Sequence, residues 1–271
     1  MAVRTLRYNS FALRNWKGAT FATDRDALAF LEAAQIYERN QQKAVVDLVR
    51  SFKRTGLWSK MKAIYPFVGG TAASHKWNLK DPRDQTVAFS LVFNGGWTHN
   101  ANGITPNGTN AFADTFYNPS TQTTNHISNY IQTSTVNTFP IEIGIWRVVG
   151  GQNRFNHIKP NSDYLSGTPA TALNFTTTIS AAGFWLGTKR SDSDRQIYRN
   201  GVSEGSTSTF DSTVMPNGNL YIGARNGNFG TDLFSTKQMS FISIGDGLTD
   251  TDATNLYNIV DLYQKRLGRA V

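Results

Sequence analysis

The hydrophobic pattern of this 271-residue chain changes period once, at Gly56, and that change governs what the chain can fold into. Before it, apolar residues recur at helical spacing. Ala27, Phe30, Leu31 and Ala34 form one stripe, and Val45, Leu48, Val49 and Phe52 form a second. Thr23 followed three residues on by Asp26 resembles a capping box for the first helix. Lys43, Arg50 and Arg54 share the basic face opposite the second stripe, and Gly56 supplies the stop. After Gly56 the period is two. Candidate strands fall at 60–67, 72–77, 86–93, 111–116, 126–132, 139–149, 155–158, 172–178, 183–188, 196–199, 220–224 and 239–244. Asn200-Gly201 between apolar-alternating flanks is a hairpin signal, and Asn94-Gly95-Gly96, Asn107-Gly108 and Asn226-Gly227 read as turns. The least structured stretches are 100–110, 118–125 and 203–218, rich in Asn, Thr and Ser. A last helix runs over about 250–267, with Thr249 as cap, Asp250 and Asp252 at its positive end and Lys265 and Arg266 at its negative end. Short strands in this number predict a mainly β, two-sheet sandwich or jelly roll, with a basic N-terminal arm, a helical pair and a C-terminal helix.

Charge is distributed as unevenly as period. Residues 1–80 hold 14 Lys/Arg against 5 Asp/Glu, whereas the whole chain is only +8. The arm itself, residues 1–21, carries Arg4, Arg7, Arg14 and Lys17 and no acid, interleaved with Tyr8, Phe11, Leu13, Trp16 and Phe21. Disordered tails are poor in aromatics, so the arm is expected to order against an acidic partner. Its anchor candidates are Arg4, Arg7, Tyr8, Arg14, Trp16 and Lys17. With no cysteine, disulfides, thiolate metal sites and cysteine nucleophiles are excluded. No apolar run approaches the ~20 residues that span a bilayer, and the start lacks the apolar core of a signal peptide. The expectation is a protein made in the cytoplasm, with no membrane partner.

Three stretches carry a family resemblance. The first is Leu57-Trp58-Ser59-Lys60-Met61-Lys62-Ala63-Ile64-Tyr65-Pro66-Phe67-Val68-Gly69-Gly70, running into His75-Lys76-Trp77-Asn78-Leu79-Lys80-Asp81-Pro82. The second is Ile197-Tyr198-Arg199-Asn200-Gly201 with Leu220-Tyr221-Ile222-Gly223-Ala224-Arg225, and the third is Phe241-Ile242-Ser243-Ile244-Gly245-Asp246-Gly247-Leu248-Thr249-Asp250. Together, over about residues 57–271, they resemble the concanavalin A-like (laminin-G-like) jelly-roll domains of bacteriophage structural proteins. The resemblance implies a jelly roll over 57–271 on a 1–56 anchor, and a place in a virion as a tail, fibre or capsid-surface component. Its implied partners are other virion proteins and copies of itself.

Retaining glycosidases need two carboxylates about 5 Å apart. Of four glutamates only Glu142 lies on a central strand, and the same-face positions beyond it are Gly144 and Trp146. No catalytic residues are assigned and the chain is read as non-enzymatic, with Glu142 facing outward or paired with an arginine. His75, His99, His126 and His157 have no metal-ligand spacing and read as lone polar residues. No cofactor is expected. Calcium is the secondary option, through the loop pair Asp192 and Asp194, although Lys189, Arg190 and Arg195 offer ion pairs instead. Nucleic acid could use the N-terminal arginines, but nothing beyond residue 80 supports it. Host glycan binding is the alternative function. Sugar sites set an aromatic ring beside amides. Trp97, His99 and Asn100 offer that, as do Asn226, Asn228 and Phe229, while Trp97, Trp77, Trp146 and Trp185 also suit the core.

Overall fold

A computed structural model describes residues 24–134, 140–159, 163–174 and 180–271. The arm with its anchor residues Arg4, Arg7, Tyr8, Arg14, Trp16 and Lys17 lies outside them, as does Thr23.

Two helices open the described chain, α1 (Arg25–Ala33) and α2 (Arg39–Arg54). The cap of α1 is Asp24, whose carboxylate accepts the Asp26 and Ala27 N–H groups. Lys53 of α2 closes on the same carboxylate at 2.7 Å and on Asp26 at 2.6 Å. Both apolar stripes are buried throughout. Helix α2 ends where Gly56 turns left-handed, at φ +76°. A single turn, α3 (Leu57–Lys60), leads into β1 (Met61–Tyr65).

The next expected strand, 72–77, is instead a helical turn, α4 (Ala72–His75). Thr71 and Ser74 form a reciprocal capping box there, and that local bonding overrides the short alternation. Of 86–93, the first part is a 3-10 turn and only Val92–Asn94 is strand (β2). The remaining strands are β3 (Trp97–Asn100), β4 (Gly103–Pro106), β5 (Phe112–Asp114), β6 (Asn125–Ile131), β7 (Ile143–Val149), β8 (Gln152–Lys159), β9 (Asp163–Gly167), β10 (Leu173–Asn174), β11 (Gly183–Ser191), β12 (Asp194–Arg199), β13 (Val202–Thr207), β14 (Tyr221–Ile222), β15 (Arg225–Gly227), β16 (Gly230–Asp232) and β17 (Met239–Gly245). Thus β4 and β13 fall in stretches expected to be the least structured.

The strands form two sheets, as expected of a jelly roll. The inner sheet runs β13-β12-β11-β6-β17-β4-β3, with β1 also on β17, and the outer sheet runs β10-β9-β8-β7-β14-β5-β2, with β15 on β7 and β16 on β15. Between them lies a core containing Ile127, Ile131, Ile143, Ile145, Trp185, Ile197, Ile222, Ile242 and Ile244. The opposite face of the inner sheet presents Tyr130, Phe184, Leu186, Tyr198 and Phe241 to a second core, which α1, α2 and the last helix, α5 (Asp250–Arg266), complete. The helical pair therefore packs directly onto the jelly roll. Helix α5 starts on the expected Thr249 cap, in a reciprocal box with Asp252.

Two buried arginines staple the ends of the sandwich without meeting a carboxylate. Arg269 donates to the carbonyls of Pro66, Phe67, Ala101 and Ser240 and to Gln264 Oε1. Arg195 donates to the carbonyls of Ser166, Asp192, Thr209 and Asp211. A planar five-donor group satisfies four or five spread acceptors at once, more than the three donors of a lysine can reach.

Candidate functional site

Among the described residues no helix covers the outward face of the outer sheet, and its far end carries an aromatic cluster. Alternation along β7 places it there. Ile143 and Ile145 face the core, so Gly144, Trp146 and Val148 face out. Strand β8 pairs antiparallel with β7 and sets Phe155 directly opposite Trp146. Their rings stack at 6.1 Å and 19°. The Trp146 indole N–H donates to Asn153 Oδ1 at 3.1 Å. From the other edge of β7, the parallel strand β15 brings the Arg225 guanidinium to 4.8 Å from the Trp146 centroid. Asp232 of β16 holds that guanidinium by two hydrogen bonds, at 2.8 and 2.6 Å. Trp146 is thus clamped between Phe155 and Arg225.

The β15–β16 turn supplies the exposed ring. Gly227 pairs with Gly230, leaving Asn228 and Phe229 as the two loop residues. A Cβ on Gly227 would meet the Gly230 carbonyl at 2.6 Å, so the turn needs glycine there. Asn228 Oδ1 accepts the Val148 N–H at 3.2 Å and fixes this turn beside the β7–β8 turn. Arg147 ties the two further, donating to the Trp146, Asn226 and Gly227 carbonyls and to Asn226 Oδ1. Burial lowers the Arg147 pKa, with the nearby Tyr221 opposing. Phe229 stands edge-on to Trp146, at 5.9 Å and 69°, and is 88% exposed. The result is a rigid aromatic corner with one open ring, flanked by the Asn153 and Asn228 amides and the half-exposed Asp232 carboxylate. Such a corner can stack one face of a sugar and hydrogen-bond its hydroxyls.

The other site candidates are placed as follows. Trp97 lies on β3, not in a loop; its indole donates to the Asn94 carbonyl, and its ring packs on Phe93 and leaves no room for a Cβ on Gly223. His99 meets His75, Nδ1 to Nδ1, at 3.1 Å, so these two are a pair rather than lone histidines. The Gly70 N–H donates to His75 Nε2, which puts the His75 proton on Nδ1, facing His99. Burial pushes His75 down to about 3, with His99 and Arg269 adding to the effect. Asn100 accepts from the Asn102 N–H and from Gln238. These three residues are engaged in packing and local bonding at the edge of the inner sheet. Asp192 bonds Lys189 at 2.9 Å, and Asp194 lies 3.7 Å from Arg190. Among the described residues no three His, Asp or Glu side chains converge as metal ligands.

Glu142 is neither outward-facing nor paired with an arginine. It is fully buried and accepts from Lys237 at 2.8 Å and Ser235 at 3.1 Å. Burial raises its pKa, against the pull of Lys237. The segment before β17 lies over it, a long-range contact that strand alternation does not reveal. Of the second group of glycan candidates, Asn228 and Phe229 are in the corner and Asn226 braces it.

No family model and no curated protein matches this chain. Solved structures do match in fold. Domain 4 of AbnA, an extracellular arabinanase of Geobacillus stearothermophilus solved with arabinotriose, aligns over 73% of this chain and 98% of its own, at TM-score 0.50 and 15% identity. Botulinum neurotoxin type C, which depends on two ganglioside molecules to enter cells, aligns over 76% of this chain at TM-score 0.52 and 12% identity. The binding domain of botulinum neurotoxin serotype D/C aligns over 75% at TM-score 0.50 and 12% identity. This chain spans about half of each toxin chain (53%). At such identities the likeness shows the fold, a β-sandwich of jelly-roll type. It agrees with the jelly-roll part of the resemblance and adds nothing to its phage part.

Proposed function

We propose that this chain is a non-catalytic carbohydrate-recognition domain whose binding site is the corner formed by Phe229, Trp146 and Phe155. One observation carries the reading: Phe229 is held 88% exposed on a glycine-bounded turn against a clamped tryptophan, beside side-chain amides and a carboxylate. Phe229 packs only by an edge on Trp146 and extends the apolar surface of Trp146, Phe155 and Val148 into solvent, and a contiguous exposed apolar patch rimmed by polar groups is the kind of surface that marks a binding site. The arabinotriose complex of AbnA domain 4, of which this chain spans almost the whole length, is in keeping with it. A glycan array probed with wild type and Phe229→Ala tests the reading. Binding by wild type and loss in the variant is expected; an array on which wild type binds nothing would overturn it.

A particle role remains a second reading, favoured by one feature of the helices. Arg39, Lys43, Arg50 and Arg54 lie within about a 60° arc of α2, and among the described residues none has an ion-pair partner. Repelling i, i+4 cations are a cost unless an acidic surface offsets them. In this reading the basic N-terminal segment anchors the domain to a virion assembled in the host cytoplasm, and the corner meets host glycan. Deleting residues 1–21 should abolish incorporation into particles; normal incorporation would refute the anchor.

A further inference from the structure

We propose that the two adjoining turns of the outer sheet, β7–β8 and β15–β16, also dock onto a lipid bilayer surface that bears negative charge. The glycan reading leaves part of this end of the molecule unexplained. Val148 is 39% exposed and Val149 46%, at the turn that Asn228 ties to the Phe229 turn, and Val214, whose carbonyl accepts from Arg154, is 64% exposed. Isolated aliphatic side chains give a sugar neither a flat stacking face nor a hydrogen bond. They do suit an apolar medium.

Shape and charge select which one. The β7–β8 turn is Gly150-Gly151, both left-handed at φ +58° and +77°, so its tip is narrow and adds no bulk beyond the two valines. The Asn228–Val148 hydrogen bond holds the second tip, with Phe229, alongside. Two convex tips suit a soft surface that yields around them better than a preformed protein groove. Directly behind the valines, Arg147 and Arg154 face each other in cross-strand register. Like charges in that position repel. Among the described residues neither meets a carboxylate, and Arg154 is held only weakly, by the Val214 carbonyl at 3.4 Å and Gln152 at 3.5 Å. Asp232, the acid of the adjoining β15–β16 turn, is already forked to Arg225. Lipid phosphates would supply the missing negative charge at the depth where the arginines sit, with the apolar tips below.

The test is co-sedimentation of the full chain with vesicles of phosphatidylcholine, alone or mixed with phosphatidylglycerol. Neither contains sugar headgroups other than glycerol, so failure here leaves the glycan reading standing, and failure on the glycan array leaves this one standing. Wild type should bind the mixed vesicles, less at high salt, and should stay in solution with phosphatidylcholine alone. Val149→Asp, at a position exposed enough to leave the fold intact, should lower partitioning by about tenfold. Arg154→Gln should lower it by about fivefold. Unchanged melting curves and Phe229-dependent glycan binding in Val149→Asp would assign the loss to the tip. Wild type remaining in solution with both vesicle types, or Val149→Asp binding as wild type does, would overturn the proposal. So would a wild-type dimer in solution that Val149→Asp dissociates, since a second copy would then be the occupant.

Discussion

The two sheets of this sandwich treat their outward faces in opposite ways. The inner sheet buries its second face beneath three helices, through Tyr130, Phe184, Leu186, Tyr198 and Phe241. The outer sheet leaves the far end of its second face to Trp146, Phe155 and Val148, with no described helix over them. The strands themselves record the difference. In β11, Phe184-Trp185-Leu186 is apolar on both faces, as is Phe241-Ile242 in β17, which is the pattern of a strand covered twice. In β7 the core face is Ile143 and Ile145 while the outward face is Gly144, Trp146 and Val148. Aromatic surface on the first sheet is spent on stability, and on the second it remains available for a ligand.

The comparison breaks most visibly if truncation under the helices turns out mild. Phe52 of α2 is fully buried in the helix–sheet core, so Phe52→Ala should cost about 4 kcal/mol in urea unfolding. A loss no larger than that of an exposed residue would mean that the helices rest loosely on the sheet. Next in size is the buried pair beneath the outer sheet. Glu142→Gln leaves the Lys237 ammonium facing a neutral amide in a site with almost no solvent, and about 3 kcal/mol should be lost. Replacing both partners with apolar residues of like volume should restore most of it, and a double variant as unstable as the single one would argue that the pair has other duties.

Acid should destabilise the fold through its buried histidines. His126 is fully buried on β6, its ring bonded to the Asp246 carbonyl and to Ser243. Burial pushes its pKa from 6.5 down to about 4, and His75 falls to about 3. A base with a depressed folded pKa is neutral in the native state and takes its proton more readily unfolded. Stability is therefore full above pH 6.5 and falls as pH drops toward 4. The His126 share of that loss is about 3 kcal/mol. Melting temperatures measured between pH 7 and 4 should fall along that course, and His126→Asn should make the fall shallower by the His126 share while leaving the part that His75 causes. An equally steep fall in the variant would place the sensitivity elsewhere.

How much of this could be read before the structure follows from contact range. Both helical stripes, the Gly56 stop, the Asn200-Gly201 turn (φ +48° and +78°) and the Thr249 cap depend on neighbours within a few residues, and they stand as read. Residues 72–77 misled because four residues of helix carry too short a pattern to outweigh an alternation, and only Thr71 with Ser74 tells them apart. Strands β15 and β16 are three residues each, too short for any period. The proposed site is half legible: an asparagine- and glycine-rich turn with a phenylalanine in it can be read locally, and it contains Asn228 and Phe229. That Trp146 meets Phe229 follows from a parallel pairing of β15 with β7, some 80 residues apart in the chain, and no local signal encodes it. The burial of Glu142 is hidden from the sequence for the same reason, since Lys237 and Ser235 arrive from more than 90 residues away.

The smallest effect on stability should come from the residue with the largest effect on binding. Phe229 contributes almost no buried area, being in contact with Trp146 only along an edge. Phe229→Ala should shift unfolding by no more than about 0.5 kcal/mol, as surface substitutions do. If the outward face of the outer sheet is the recognition surface, the same change should abolish glycan retention, because the most exposed ring of the Phe229–Trp146–Phe155 corner is gone. Trp146→Phe offers a finer cut. It loses the indole bond to Asn153 and part of the stack on Phe155, yet leaves Phe229 in place. Binding weakened but not lost would fit a clamped tryptophan that braces its neighbour. Retention abolished by Trp146→Phe and untouched by Phe229→Ala would move the ligand off the exposed ring and onto the clamp, and the division of labour between the two faces would have to be redrawn.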